Sequence, residues 1–332
     1  MEKNFDFAIY HESNIPKYQQ IINQVNEAIA ENYLVMDEPL PSVNALCAGH
    51  KLSRDTVFKA YSILRKNGVI KSVPNKGYYI ASKNRKVLLV LDTFKAYKEV
   101  LYHSFIDVME DDISTDIQFH HYNIDNFKTI INNSIGKYYK YVIMGFDHTL
   151  VAKHLAKIDS KKLLLIDWNI HAKEENNYVF QDFGLSFYQA MKTVTDLFKK
   201  YKEIHFIYPT YTYHPKETLD YFEKYCIDFK FKYKIITNPK EFKIENGVAY
   251  ISVSDRILGT FLEQCKAENL EPGVDVGFLS YNDTPMKKFI YKGISVVTTD
   301  FKALGISAAQ FINQDESMQS YVPIKIIVRD SL

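Results

Sequence analysis

The sequence predicts a small helical head ending in a two-stranded hairpin, followed by a larger α/β domain with parallel sheets. Three observations point there. The first eighty residues carry helical apolar spacing, two N-cap signals and one pair of β runs around a turn. From Val87 onward, short apolar runs alternate with helical patterns, as in parallel strands covered by helices on both faces. Between these regions the charge changes abruptly. Residues 51–86 hold ten Lys or Arg and one acid, although the 332-residue chain balances 41 basic residues against 40 acidic ones.

The length allows two or three domains, and 46% hydrophobic with 24% charged residues is a globular composition. Three cysteines, an odd number without metal-like spacing, argue against a disulfide framework or a zinc cage. Reduced thiols and a cytoplasmic location are expected. No apolar run approaches eighteen residues, so no membrane partner is expected. The N-terminus lacks the basic and apolar segments of a signal peptide.

Pro16 opens an amphipathic helix with Tyr18, Ile21, Ile22, Val25 and Ile29 on one face. Ser42 is an N-cap for a short helix burying Val43, Leu46 and Cys47. Gly49-His50-Lys51 reads as a tight turn. Ser53 caps the next helix, whose inner stripe is Val57, Ala60, Tyr61 and Leu64, and Gly68 fits a left-handed C-cap. Val69–Val73 and Tyr78–Ile80 flank Pro74-Asn75-Lys76-Gly77, a hairpin with a basic tip. This order is a winged helix-turn-helix, with the helix after Ser53 entering the major groove. The candidate DNA contacts are Ser42, Asn44, Ser53, Arg54, Asp55, Thr56, Lys59, Lys76 and Gly77. Arg pairs with guanine, hydroxyls hold phosphates, and glycine allows close backbone approach. A merely solvated charged face is the competing reading.

Five motifs stand in order: Ile15–Ile21, Leu40-Pro41-Ser42, Leu52–Tyr61, Asn67–Ile70 and Lys76–Ile80. Across about residues 10–81 they resemble the DNA-binding domain of the GntR family of bacterial transcription regulators. That family commonly places a DNA-contacting Arg where this chain has Asn44, so the usual operator bases do not carry over.

Residues 82–86 read as a polar linker. Strands follow at Val87–Leu91, Tyr141–Met144, Lys162–Ile166, Tyr178–Phe180, Ile204–Ile207, Val248–Ile251 and Val274–Leu279, with helices such as Ser186–Tyr201 and Arg256–Asn269 between. Ligands of such sheets bind at the carboxyl ends of the strands. Asp92, Asp147, Asp167, Ser254 and Asn282 stand there.

The segments 177–204, 252–255, 273–284, 296–305 and 327–331 are similar, in order, to the effector domains of LacI-type regulators and periplasmic sugar-binding proteins. The resemblance implies two lobes spanning 87–332: an N-lobe of about 87–180 and 300–317, and a C-lobe of about 181–299 and 318–332. By the same resemblance, Asn282 stands where a pocket Asp bonds sugar hydroxyls, and Ser254 where a pocket Asn stands. Asp255 follows as an acid with a pocket or a structural role. Asp92, Phe94, Tyr97, Asp147 and Asp167 line the N-lobe side. Trp168 is a stacking face for a sugar ring or a core residue. The family's C-lobe Arg is absent, and Lys216 is its candidate replacement. Asn in place of Asp, with no cleft Arg, implies an uncharged ligand.

No nucleotide-cradling glycine motif or nucleophile elbow occurs, and His120-His121 lacks a second cluster for a metal. No catalytic residue, metal or cofactor is expected. The expected protein is a dimeric, non-enzymatic repressor on an inverted-repeat DNA operator. Its expected effector is a monosaccharide, a pentose or deoxyhexose. The alternatives are a small-molecule enzyme fused to a DNA-binding head, and a DNA binder whose large domain only dimerises.

Overall fold

The computed structural model describes residues 5, 7–31, 33–81, 85–111, 113–169, 173–314 and 316–332. The head begins with α1 (Lys17–Ala30), which starts directly after Pro16 and buries Ile21, Ile22, Val25 and Ile29. Helix α2 (Val43–His50) is capped by the Ser42 hydroxyl, which accepts the Ala45 N–H at 3.1 Å. It runs through His50, so the expected turn shrinks to Lys51, in the left-handed region at φ 52°. Helix α3 (Arg54–Lys66) starts at Ser53, whose Oγ accepts the Thr56 N–H at 3.2 Å. Gly68 follows it at φ +73°. Strands β1 (Ile70–Val73) and β2 (Gly77–Ile80) form the antiparallel wing. Buried Tyr61 donates its hydroxyl to the Pro41 carbonyl at 2.7 Å, which locks α3 against the entry to α2.

The N-lobe continues with β3 (Arg85–Leu91), α4 (Ala96–Ile106), β4 (Ile113–Phe119), α5 (Ile124–Ser134), β5 (Lys140–Met144), α6 (Val151–Leu155), β6 (Leu163–Asp167) and β7 (Asn177–Gln181). Of the expected linker, residues 82–84 lie outside the described residues. Arg85 and Lys86 already pair with Ile113 and Ser114 in the sheet. The C-lobe holds α7 (Leu185–Thr193), α8 (Thr195–Phe198), β8 (Glu203–Ile207), α9 (Glu217–Asp228), β9 (Tyr233–Ile236), β10 (Val248–Ser252), α10 (Asp255–Glu268), β11 (Gly277–Tyr281) and β12 (Ser295–Thr299). The chain then returns to the N-lobe with α11 (Phe301–Asn313) and β13 (Gln319–Val322), and ends in the C-lobe with β14 (Ile324–Ile327).

Two expectations shift here. The helix expected over 186–201 breaks at Val194 into α7 and α8. The strand expected from Val274 begins at Gly277, because Gly273 turns the chain at φ +81°. A domain limit moves as well. The C-terminal part expected in the C-lobe from 318 gives Gln319–Val322 to the N-lobe, as a parallel neighbour of β7. The last crossing therefore falls at Pro323, which has no N–H to offer either sheet.

The sheets run β13-β7-β6-β5-β3-β4 and β14-β12-β11-β10-β8-β9. All neighbours are parallel except β12 and β14. In each lobe the first strand lies inside the sheet, so connections leave it in both directions. That reversal opens a crevice at the strand ends, beside β3 in one lobe and β8 in the other. Three crossings join the lobes, so the two crevices form one cleft.

The head sits against the N-lobe through α1. The buried Lys162 ammonium donates to the Asn23 carbonyl at 3.1 Å and lies 3.4 Å from the Glu27 carboxylate. Gln19 packs over Gly136, where a Cβ would fall 2.6 Å from its amide. Among the described residues no helix is long and apolar enough to cross a membrane.

Helix α11 packs on α4 through Gly305, where a Cβ would stand 2.3 Å from the Leu101 carbonyl oxygen. Backbone cannot retreat as a flexible side chain can. Gly305→Ala is therefore expected to destabilise the protein by about 1–3 kcal/mol despite alanine's better helix propensity. Denaturant titration at unchanged m-value checks it.

Candidate DNA interface and ligand cleft

At the head, Ser42, Asn44, Ser53, Arg54, Asp55, Lys59 and Lys76 are exposed. Thr56 is half-buried, and its hydroxyl is 2.8 Å from that of Ser53, inside the cap. Its first role is therefore to close the helix start. Arg54 stands over the exposed Phe58 ring at 5.8 Å, and Lys59 over Tyr18 at 3.8 Å. Lys59 is thus held against α1 rather than extended. At the wing tip Gly77 has φ +108° with open space around its Cβ position. The backbone conformation selects glycine there and leaves the tip accessible. Lys71, in the wing, is paired with Asp37.

The cleft holds a cavity of about 650 Å³ lined by Asp92, Tyr97, Asp167, Ser254, Asp255 and Asn282, among others. An adjoining chamber of about 380 Å³ is lined by Asp147, Trp168 and Lys216. Tyr122 and Tyr213 line both. Their rings stack across the lobes, with centroids 3.8 Å apart and planes 2° from parallel, as the common wall. Trp168 adds a second inter-lobe contact, donating its indole N–H to Glu217 at 3.2 Å. Phe94 belongs to neither chamber. It turns outward and packs edge-on against Tyr102 and Phe119.

Charge inside the cleft is arranged in pairs. Asp92 accepts from the buried Lys98 ammonium and from the Tyr122 hydroxyl, so its oxygens hold the wall together. Burial lowers Lys98 to about 8, against the opposing pull of Asp167. Burial raises Asp167, while Lys98 and a hydrogen bond from Gln181 pull it down. Asp167 also occupies φ +82°, a strained conformation for a residue with a side chain. On the C-lobe side, buried Lys287 lies 2.7 Å from Asp255 and donates to the Tyr281 and Asn282 carbonyls at 3.0 and 2.6 Å. Asp255 thus stabilises a strand-end loop. That loop holds Asn282 at φ +59°, with its side-chain oxygen buried and without a donor among the described residues.

Sequence reasoning missed Lys98, Tyr122, Tyr213, His214 and Arg256, all of which line the cavity. Arg256, in the first turn of α10, corrects the expectation of a cleft without arginine. Lys98 carried a signal: a lysine inside a stripe that buries Leu101 and Phe105. The two tyrosines sit in loops that follow no periodicity.

His120 is buried and structural. Its Nε2 faces the Met144 carbonyl at 3.1 Å and must donate, while Nδ1 accepts the Tyr122 N–H at 3.1 Å. Both nitrogens are used by the neutral ring, and Tyr122 is placed by it.

A winged helix-turn-helix head on a two-lobed α/β domain with an interlobe cleft defines a class of DNA-binding transcriptional regulators. Residues 17–80 match the model of the bacterial regulatory proteins, gntR family. The repressor YtrA of Bacillus subtilis is 36% identical over 95 residues, covering 29% of this chain and 72% of YtrA. This chain belongs to the GntR family. In fold, 74% of it aligns with all of the trehalose repressor from Escherichia coli, at TM-score 0.63 and 14% identity. A LacI family regulator from Enterococcus faecium, solved with bound ribose, aligns over 74% of this chain and 98% of its own, at TM-score 0.61 and 11% identity.

Burial lowers His120 to about 4 and His214 to about 3. The unfolded chain takes up these protons near pH 6.5, and the folded chain refuses them until lower pH. Their contribution is full above pH 6.5 and is lost as pH falls toward 4. Melts at pH 6.5 and 5 are expected to show this loss. His120→Asn is expected to shrink the difference by on the order of 1–2 kcal/mol.

Proposed function

We propose that this protein is a cytoplasmic repressor that binds an inverted-repeat DNA operator as a homodimer and releases it when a neutral monosaccharide, a pentose or deoxyhexose, enters the cleft. The head supplies Arg54 for base contact and Lys76 with Gly77 for the wing. Ser42, Asn44 and Ser53 supply exposed polar groups toward the backbone. The ligand acts through its differential affinity for the lobe arrangements that suit and do not suit the operator.

The observation that carries the ligand reading is Asn282: a buried acceptor without a donor among the described residues, on a cavity walled by Tyr97, Tyr122, Tyr213 and Tyr281. A buried acceptor left unpaired costs about 1–3 kcal/mol, and a sugar hydroxyl supplies the missing donor. Aromatic walls suit the apolar faces of a sugar ring. Pairing of Lys98 with Asp92 and of Lys287 with Asp255 leaves both lysines compensated, which supports an uncharged ligand. The exposed Lys95 and Arg256 also line the cavity, and sugar acids belong in the panel for that reason.

Trp168, the single tryptophan of the chain, lines the cleft, so its fluorescence reports occupancy. A screen of neutral monosaccharides, sugar phosphates and sugar acids is expected to give a fluorescence change and a higher melting temperature with one neutral sugar. A hundredfold excess over Kd adds about 2.7 kcal/mol of stability. Arg54→Ala is expected to cost about 1–3 kcal/mol of operator binding and leave the sugar response intact. Asn282→Ala is expected to do the reverse. Response to no neutral sugar overturns the effector assignment, and operator binding unchanged in Arg54→Ala overturns the head assignment.

A further inference from the structure

The basic stretch that marks the head in the sequence is divided in three dimensions. Arg54, Lys59 and Lys76 stand on the candidate DNA face. Lys66 lies twelve residues after Arg54 on the same helix, about 18 Å away at 1.5 Å per residue. It lines instead a cavity of about 300 Å³ at the junction of head and N-lobe. Asn26 and Ile29 of α1, with Lys66, Asn67 and Val69, form the head side. Arg85, Lys86, Lys137, Tyr138 and Tyr139 form the lobe side.

The lining includes four cations and no acid among the described residues. Two cations are answered from outside it: Arg85 pairs with Glu110, and Lys86 lies 2.7 Å from Asp116. Lys66 and Lys137 have no acidic partner among the described residues. The side-chain nitrogen of Asn67 is buried there without an acceptor. Two uncompensated positive charges and an unused amide donor call for one small dianion. A phosphomonoester carries about −1.5 to −2 at neutral pH with three acceptor oxygens; a carboxylate carries half that charge. The cavity opens beside a packed junction, in which Lys162 is buried against Asn23 and Glu27 and Gln19 is seated on Gly136.

We propose that the junction between head and N-lobe is a second ligand site, separate from the cleft, that binds a small phosphate-bearing molecule between Lys66 and Lys137. Its occupant touches both bodies, so it favours the docked arrangement of the head and by linkage alters operator affinity. The distance from the start of α3 favours a free phosphate compound over the DNA backbone as the source of that phosphate.

The test uses the full chain, with inorganic phosphate and glucose 6-phosphate as probes and sodium chloride of equal ionic strength as the control. Calorimetry is expected to show binding of both probes. Lys137→Glu and Lys66→Gln, both exposed positions, are each expected to weaken it tenfold or more with the melting temperature in chloride unchanged. Asn282→Ala is expected to leave it unaltered. Binding that disappears in Asn282→Ala and survives in Lys137→Glu assigns the phosphate to the cleft and overturns the proposal. No binding beyond the chloride control overturns it too. So does a Lys137→Glu variant that, without phosphate, loses operator affinity and about one unit of salt slope, because the cluster is then a DNA contact.

Discussion

The cleft depends on one buried amide. Gln181 ends β7 where the chain first crosses between the lobes. Its oxygen accepts the Thr299 hydroxyl at 2.5 Å, at the second crossing, and its nitrogen donates to Asp167. Both ends of the side chain are used, and the residue is buried. Its orientation is therefore fixed, since reversing the amide would set its oxygen against the Asp167 carboxylate, acceptor against acceptor. Asp167 in turn starts the loop that carries Trp168 to Glu217 of the other lobe. Two of the three crossings and an inter-lobe contact thus share one hydrogen-bonded chain. Leaving any member of it unpaired would cost about 1–3 kcal/mol, which is why a change at the cleft reaches the crossings.

A second set of constraints ties the crossings to the N-lobe. The second crossing leads straight into α11, which lies against α4 at the Gly305 contact, and Phe301 meets Tyr97 at 4.7 Å. Tyr97 lines the cavity. Movement at the cleft wall is thereby coupled to a helix pair with no spare space, and close-packed interfaces of this kind shift between discrete arrangements rather than deform gradually. On the proposed reading this turns a ligand of small size into a rearrangement large enough to matter to the head.

The head is coupled to the same lobe by different chemistry. Burial lowers the affinity of Lys162 for its proton, with Glu27 opposing. A buried ammonium left without its partners would be far more costly than the exposed ion pairs elsewhere on the surface. This junction is therefore specific in geometry, and it decides which part of the basic stretch faces outward and which part faces the lobe.

Much of the architecture was legible because its determinants are local. Ser42 and Ser53 cap helices through N–H groups three residues away, and Gly68 and Gly77 answer to their own φ angles. Apolar strands between helices dictate parallel sheets, and parallel sheets gather the residues after each strand. Asp92, Asp147, Asp167, Ser254 and Asn282 could therefore be placed at the cleft from strand ends alone. Phe94 failed that rule because its direction depends on Tyr102 and Phe119, which the chain supplies from other elements. Tertiary packing was needed for everything set by distant partners: the Tyr122–Tyr213 wall, the Gln181–Thr299 bond, the pairing of Lys287 with Asp255, the strand at 319–322 and the division of the basic stretch between two surfaces. Periodicity and capping describe interactions within a few residues. Which buried charge meets which, and which loop closes on which, depends on how lobes and head pack, and that information is spread over the whole chain.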